Sequence, residues 1–269
     1  MFFRKTKPAP APAPIKAAEC KICGCDADYF GAVDFSQNCL RVPLPPAGVS
    51  APYHRCANCG FLFTPLCDAW SQAEFEQKIY NDEYARIDPE FFSQRPLEQA
   101  QHFSGLLGAP AGTPRLLDYG GGGGRFAARM RELGYDAATF DPFHPGDFAP
   151  QAGERFALVH CREVLEHAAD PQAFVADIIR HMSDAAVIYL STVTQPPDIG
   201  EIRLGWWYAG PRNGHISLHT HQSLDLLWRD QGFEFGSFNS FLHLAWRGQP
   251  ACLAGLLQNS GRLYRASEL

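Results

Sequence analysis

The chain has 269 residues, enough for one α/β domain of ordinary size and a small additional module. Its composition, 46% hydrophobic and 19% charged, is that of a globular protein, and no apolar run approaches the ~20 residues of a membrane span. The net charge of −6 disfavours a nucleic-acid partner, because phosphate binding draws much of its affinity from clustered basic side chains. The first residues lack the apolar segment of a secretory signal, so we expect a cytoplasmic protein.

Residues 1–18 contain a proline and alanine alternation that removes backbone hydrogen-bond donors and favours extended conformers. We expect a disordered tail there. Residues 19–68, by contrast, are rich in Cys, Pro and Gly and lack a helical period, which is typical of a small module that cannot bury a core unaided.

Four cysteines of this module form two Cys-x-x-Cys-Gly motifs that lie well apart in the sequence. The first pair is Cys20 and Cys23, and the second is Cys56 and Cys59. Four thiolates at ~2.3 Å suit tetrahedral zinc, and such a closed site leaves no position for catalysis, so we predict a structural zinc ion. A redox dithiol is the alternative, although it does not need two matching motifs. Two further cysteines whose contact with the metal stays open are Cys25 and Cys39.

Apolar residues recur at helical spacing through residues 69–112, which we predict to be a helical linker or cap. From residue 113 to residue 269, short apolar strands alternate with helices, and this order predicts a parallel sheet with helices on both faces. The predicted strands are 115–119, 137–140, 156–161, 186–192, 233–241 and 242–246. The helices predicted between them are 123–133, 171–182 and 223–231.

A run of five glycines follows the first of these strands and opens the next helix. Glycine lets the backbone approach a ligand closely at the carboxyl end of a strand. Asp118 stands directly before the run, where a carboxylate can pair with the ammonium group of S-adenosylmethionine. Asp141 ends the second strand, where a carboxylate can accept both ribose hydroxyls. The predicted cofactor-binding residues are Asp118, Gly120, Gly122, Gly124 and Asp141.

The same loop contains one register of the dinucleotide pattern, Gly122-x-Gly124-x-x-Ala127, so a nicotinamide cofactor is an alternative. Asp118 argues against it, because a carboxylate there would repel a pyrophosphate. Asp141 does not discriminate between the two cofactors, since dinucleotide folds also use an acid at this place. A turn that merely lets helix and strand pack together is disfavoured by the chain entropy of five consecutive glycines.

Three segments, in this order along the chain, resemble class I S-adenosylmethionine-dependent methyltransferases that act on small molecules. Residues 116–122 resemble motif I of that family, residues 163–167 resemble the region after its fourth strand, and residues 214–218 resemble a segment found late in the same subgroup. Methyltransferases of sugars and natural-product intermediates often carry an N-terminal module with two Cys-x-x-Cys pairs. The resemblance covers about residues 75–245.

This resemblance implies an α/β fold. The main domain would be a Rossmann-like sheet of seven strands, mostly parallel with the last strand antiparallel, beside a small zinc-ribbon-like module. Two departures from the family pattern stand out. Ala157 replaces the usual aspartate of the fourth strand, and the interval between Asp141 and Phe156 is so short that the third strand and its helix must be abbreviated.

The expected function is methyl transfer from S-adenosylmethionine to an oxygen or carbon atom of a small molecule, such as a sugar or a natural-product intermediate. His215, in a glycine-rich loop after the fifth strand, is the first general-base candidate. His167 is the second, because the resemblance places Glu166 and His167 near the active site, although a hydrogen-bonding role stays open for both histidines. Arg95 is a candidate ligand of the cofactor carboxylate or of the acceptor, with a surface salt bridge as its alternative.

Two other functions stay open at this level. One is an NAD(P)-dependent oxidoreductase built on a similar sheet. The other is a non-catalytic zinc-bearing binding protein whose cofactor domain is degenerate. Ala157 and the short third-strand region are the two departures from the family pattern that support this alternative.

Overall fold

The computed structural model describes residues 18–91, 93–144 and 148–269. The predicted disordered tail, residues 1–18, lies outside the described residues except for its last one. The strands are β1 Ala18–Glu19, β2 Asp26–Asp34, β3 Ser50–Cys56, β4 Leu62–Phe63, β5 Leu116–Tyr119, β6 Ala137–Phe140, β7 Phe156–Arg162, β8 Met182–Ser191, β9 Ser217–Leu218, β10 Glu234–Ser237 and β11 Leu242–Arg247. The helices are α1 Gln72–Lys78, α2 Tyr84–Ile87, α3 Arg95–Leu107, α4 Arg125–Glu132, α5 Pro171–Arg180, α6 Ile199–Ile202, α7 His221–Arg229 and α8 Leu253–Asn259.

The larger sheet has six strands in the order β10-β11-β8-β7-β5-β6. β6, β5, β7 and β8 run parallel, and β11 pairs antiparallel with both β8 and β10, which confirms the predicted fold class. All six segments predicted as strands form, although β10 ends at Ser237. It ends there because the side chain of Asn239 accepts hydrogen bonds from the backbone nitrogens of Phe241 and Leu242 and closes a turn.

The expectation of seven strands is wrong for the described part of the chain. β6 is the edge strand of the sheet, and the next strand along the chain is β7, which lies on the other side of β5. A parallel crossover needs a dozen or more residues for each connection, so the short interval between Asp141 and Phe156 cannot hold a further strand and its helix.

Helices cover both faces of this sheet. On one face lie α3, α4 and α8, whose Phe103, Phe126 and Leu256 join one hydrophobic cluster. On the other face lie α5 and α7, whose Val175 and Leu227 join a second cluster. Burial on both faces is the reason why the central strands are rich in apolar residues.

The smaller sheet is antiparallel and has the order β1-β2-β3-β4-β9. Its edge strand β9 comes from late in the chain and pairs with β4, so that Leu218 stands opposite Leu62. Tyr53 of β3 shares a hydrophobic cluster with Leu204, which lies after β8. The N-terminal module therefore completes its core with side chains from the larger domain. The predicted boundary at residue 68 stays a prediction.

The helical segment before β5 lies over the carboxyl ends of the parallel strands. α1 begins after a capping box at Ser71. Arg212 donates from Nη1 to the carbonyl oxygen of Ile79 at 2.9 Å, and the Tyr84 hydroxyl donates to the carbonyl oxygen of Asn213 at 3.4 Å. These bonds fasten the segment to the loop before β9.

No helix in residues 18–91, 93–144 and 148–269 has both the length and the apolar character that crossing a bilayer requires.

Candidate active site

Two adjoining cavities open at the carboxyl ends of β5, β6 and β7, which is where ligands bind in sheets of this kind. The larger cavity, about 220 Å³, is lined mainly by aromatic and apolar side chains, together with Asp141 and His167. The smaller cavity, about 60 Å³, is lined by the glycine loop and by charged side chains. Phe91, Gly120 and Glu163 border both cavities, so the two form one bent cleft.

The loop after β5 needs glycine for two separate reasons. Gly120, Gly122 and Gly124 have φ angles of 74°, 53° and 75°, in the left-handed region that favours glycine. A Cβ atom on Gly121 would lie only 2.1 Å from Oδ2 of Asp118. The structure therefore brings the three predicted cofactor glycines to the wall of the cleft, or directly beside it, where the backbone can approach a ligand.

Asp118 lies beneath this loop, with an exposed fraction of 3%, and borders the smaller cavity. Its Oδ1 is 2.8 Å from Nδ1 of His160 on β7, and the His160 ring stacks on Phe126 with centroids 3.8 Å apart. Oδ2 has no hydrogen-bond partner among the described residues. Burial raises the pKa of Asp118 well above its ordinary value and lowers the pKa of His160, so burial favours an uncharged pair.

Asp141 follows β6 and lines the larger cavity. Its Oδ2 accepts a hydrogen bond from the backbone nitrogen of Gly122 at 2.9 Å. Its Oδ1 accepts from the backbone nitrogens of Phe143 at 2.8 Å and His144 at 3.1 Å. These bonds fix the carboxylate and tie the glycine loop to the end of β6, while lone pairs remain for a hydroxyl donor.

Charged side chains border the smaller cavity. Arg95, predicted as a ligand or a salt-bridge partner, lines it and also donates two hydrogen bonds to Asp88, at 3.0 and 2.6 Å. The sequence-based prediction missed Arg162 and Glu163, although both stand at the end of β7, where ligand contacts are expected. Glu163 has a φ of 58°, which is unusual for a residue other than glycine, and burial raises its pKa.

Glu166, His167 and His215 meet beside the larger cavity and are called here the Glu-His-His cluster. One carboxylate oxygen and one ring nitrogen from each histidine lie within 4.8 Å of one another. The two imidazole centroids are 5.1 Å apart. His167 lines the larger cavity, whereas His215, 8% exposed, lies behind it. The structure thus brings the two predicted base candidates together, and His167 is the one on the cavity wall.

Tyr208 holds the cluster in place. Its hydroxyl donates to Oε1 of Glu166 at 2.6 Å, and its carbonyl oxygen lies 3.0 Å from Nδ1 of His215. Burial raises the pKa of Glu166 to about 8 and lowers the pKa of His167 to about 4. Burial also lowers the pKa of His215 well below its ordinary value, so burial favours the neutral form of both imidazoles.

The four predicted zinc ligands form a second cluster, in the N-terminal module. The Sγ–Sγ distance is 3.7 Å between Cys20 and Cys59, 3.5 Å between Cys23 and Cys56, and 3.7 Å between Cys23 and Cys59. A tetrahedron of thiolates at about 2.3 Å from zinc has edges of about 3.8 Å, so donors and spacing both fit that ion. The two cysteines that the sequence left open, Cys25 and Cys39, lie outside this cluster.

Hydrogen bonds fasten the first cysteine motif to the wall of the cleft. Lys21 donates from Nζ to the carbonyl oxygen of Ala169 at 2.9 Å, and Ala169 lines the larger cavity. Gln172 of α5 donates from Nε2 to the carbonyl oxygen of Ile22, also at 2.9 Å. A metal ion held by the cysteines would therefore stabilise one side of the cleft as well as the module.

A family model described as a methyltransferase domain matches residues 75–236, which is more than half of the chain. No curated protein matches the chain. Among solved structures, the chain is similar to the plantazolicin methyltransferase in complex with SAH, at 13% identity and a TM-score of 0.46, covering 65% of this chain and 94% of that one. It is also similar to the magnesium protoporphyrin IX methyltransferase of Synechocystis with bound SAH, at 16% identity and a TM-score of 0.43, covering 67% and 97%. An O-methyltransferase family protein from Burkholderia thailandensis is 15% identical, with a TM-score of 0.46 and coverage of 64% and 62%.

Proposed function

This chain belongs to the methyltransferase domain family, and on that basis we propose that it transfers a methyl group from S-adenosylmethionine to an oxygen or carbon atom of a small molecule. The observation that carries the proposal is the bent cleft, with Asp141 in one cavity, Asp118 in the other and Gly120 between them. S-adenosylmethionine has a ribose on one side of its sulfonium and a charged amino acid on the other, which fits this distribution.

The smaller cavity suits the amino-acid part of the cofactor. That part carries an ammonium and a carboxylate, and the cavity offers Asp118 for the first and Arg95 or Arg162 for the second. Charge-assisted hydrogen bonds of this kind are stronger than neutral ones, and more so in a partly buried site. A dinucleotide pyrophosphate would instead meet two carboxyl groups, on Asp118 and Glu163, so the nicotinamide alternative fits less well.

The larger cavity suits the adenosine part and the acceptor. Asp141 presents carboxylate oxygens to a ribose, and Pro142 and Phe143 offer apolar surface to an adenine ring. His167 also lines this cavity. An acceptor bound there would lie between the cofactor and the Glu-His-His cluster.

Methyl transfer requires little covalent chemistry from the protein, because the cofactor supplies the electrophile. The protein must position the acceptor and accept the proton that an oxygen or carbon acceptor loses. His167 lines the cavity in its neutral form and can accept a proton, while His215 stands behind it. Both histidines stay predicted catalytic residues.

We further propose that the cysteine cluster binds one structural zinc ion. The proposed division is a zinc-binding module over residues 19–68, a helical cap over residues 69–112 and a methyltransferase domain over residues 113–269. The module then acts by supporting the cleft through Lys21 and Gln172 rather than by contacting the reacting atoms.

Isothermal titration calorimetry of the zinc-loaded protein with S-adenosylhomocysteine tests this function. We expect one binding site per chain with a Kd in the micromolar range, and no rise in melting temperature with NADH. Folded, zinc-loaded protein that fails to bind S-adenosylhomocysteine would contradict the proposal, and stabilisation by NADH alone would favour the oxidoreductase.

A further inference from the structure

The Glu-His-His cluster holds more groups than base catalysis requires. A general base needs one imidazole on the cavity wall, whereas two imidazoles and one carboxylate converge here. Two histidines and one carboxylate are a common ligand set for divalent first-row metal ions that keep open positions for a substrate. We propose that Glu166, His167 and His215 bind such an ion beside the larger cavity.

A buried polar atom of the cluster supports this site. Glu166 is 0% exposed, and its Oε2 has no hydrogen-bond partner among the described residues. Nε2 of His167 lies 4.0 Å from the other carboxylate oxygen, Oε1. Leaving a buried polar atom without a partner is unfavourable, and a cation at this place would offset that cost. Tyr208 donates to Oε1 of Glu166, which leaves Oε2 as the oxygen that would coordinate the ion.

Tyr208 supplies the outer hydrogen bonds that metal ligands usually have. Its carbonyl oxygen can only accept, so the 3.0 Å contact places the proton of His215 on Nδ1 and leaves a lone pair on Nε2. Its hydroxyl donates to Glu166 and fixes that carboxylate. One residue therefore orients two of the three ligands. The third, His167, lines the cavity, so the open positions of the ion would face the acceptor.

The site would have to contract slightly around an ion. The three donor atoms lie within 4.8 Å of one another, whereas nitrogen and oxygen ligands of one ion lie roughly 3 to 4 Å apart. Side-chain shifts on the order of 1 Å close this gap. The three residues lie in the turn after β7 and in the loop before β9, so such a shift needs no rearrangement of the sheet.

The catalytic consequence, unlike the binding itself, rests on the proposed function. The ion would bind a hydroxyl oxygen of the acceptor and make its proton easier to remove. With the ion bound, His167 and His215 act as its ligands and no longer as the general base. The proton passes to water, the oxygen forms a bond to the methyl carbon, the bond from that carbon to the sulfonium sulfur breaks, and S-adenosylhomocysteine leaves. The site therefore narrows the acceptor to a small molecule methylated on a hydroxyl oxygen.

Co²⁺ added to the zinc-loaded protein tests the site, because cobalt reports its ligands in the visible and near-ultraviolet spectrum. We expect one Co²⁺ per chain with d–d bands and without the charge-transfer band that cysteine thiolates produce. His167→Gln, His215→Gln and Glu166→Gln should each weaken Co²⁺ binding at least 10-fold, whereas His102→Gln, on the exposed face of α3, should not.

Melting curves and S-adenosylhomocysteine titrations show whether each variant still folds. Wild-type protein that binds no Co²⁺ beyond exchange into the cysteine site would overturn the inference, as would equal binding by folded variants at Glu166, His167 and His215. Binding of S-adenosylhomocysteine without binding of Co²⁺ leaves the proposed function standing and removes the metal site. Binding of Co²⁺ without binding of S-adenosylhomocysteine leaves the metal site standing and contradicts the proposed function.

Discussion

His160 and Asp118 stand level on neighbouring parallel strands, and a hydrogen bond of 2.8 Å joins Nδ1 of the first to Oδ1 of the second. The His160 ring is held between Phe126 and Phe103, with centroids 3.8 and 5.0 Å away. The histidine therefore fixes the carboxyl group whose other oxygen, Oδ2, lacks a protein partner within the described residues. We propose that this oxygen receives the ammonium group of the cofactor.

The first prediction concerns the charge of this carboxyl group. Asp118→Asn keeps the shape and the hydrogen bond to His160 but cannot become an anion. We expect S-adenosylhomocysteine to bind about 100-fold more weakly, because losing one partner of a buried charge pair is costly. Calorimetry measures the change. Asp225→Asn, which removes a surface pair with Arg229, is the control and should bind as the wild type does. An unchanged affinity of Asp118→Asn would show that the ammonium binds elsewhere.

The second prediction concerns proton release. Burial raises the pKa of Asp118 in the free protein, and a bound ammonium lowers it again. Between the pKa values of the bound and free forms, binding must expel a proton, so affinity should rise as the pH rises through that interval. Calorimetric enthalpies measured in buffers of different ionisation enthalpy report the number of protons. Asp118→Asn should abolish the release. A buffer-independent enthalpy in the wild type would contradict the prediction.

The third prediction concerns the glycine loop. A Cβ atom on Gly121 would lie 2.1 Å from Oδ2 of Asp118 and 2.4 Å from Oγ1 of Thr139. Gly121→Ala should therefore displace the carboxyl group and reduce S-adenosylhomocysteine binding by at least 10-fold. Gly105→Ala in α3 meets no atom within 4 Å and should leave binding unchanged while stabilising the helix by up to about 1 kcal/mol. If Gly121→Ala binds S-adenosylhomocysteine as tightly as Gly105→Ala does, then Asp118 does not contact the cofactor.

The fourth prediction concerns the cysteine cluster. Atomic emission should find one zinc ion per chain, and stripping it with a chelator should lower the melting temperature, because structural zinc contributes folding free energy directly. S-adenosylhomocysteine affinity should fall as well, since Lys21 and Gln172 connect the first motif to the cleft. Cys25→Ser, at an exposed thiol outside the cluster, should retain zinc, whereas Cys23→Ser should not. Zinc loss in both variants would point to a different ligand set.

Most of the main fold could be predicted from local patterns. The six strands, the glycine loop and the helix ends follow from apolar runs, glycine positions and capping residues, all of which act over a few residues. The resemblance to the family wrongly implied a further strand after β6, because the interval between Asp141 and Phe156 is too short to hold that strand and its helix. The cysteine pairs could be predicted as metal ligands because the two ligands within each Cys-x-x-Cys motif are close in sequence.

The sequence by itself determined the local units of the cleft, namely the loop from Asp118 to Gly124, the acid at Asp141 and the two cysteine motifs. The tertiary structure alone decided which distant groups meet. It placed His160 against Asp118 across two strands, brought His215 to Glu166 and His167 through the loop before β9, and completed the N-terminal sheet with β9. Such contacts depend on strand order and on the packing of the whole chain, so no short stretch of sequence encodes them.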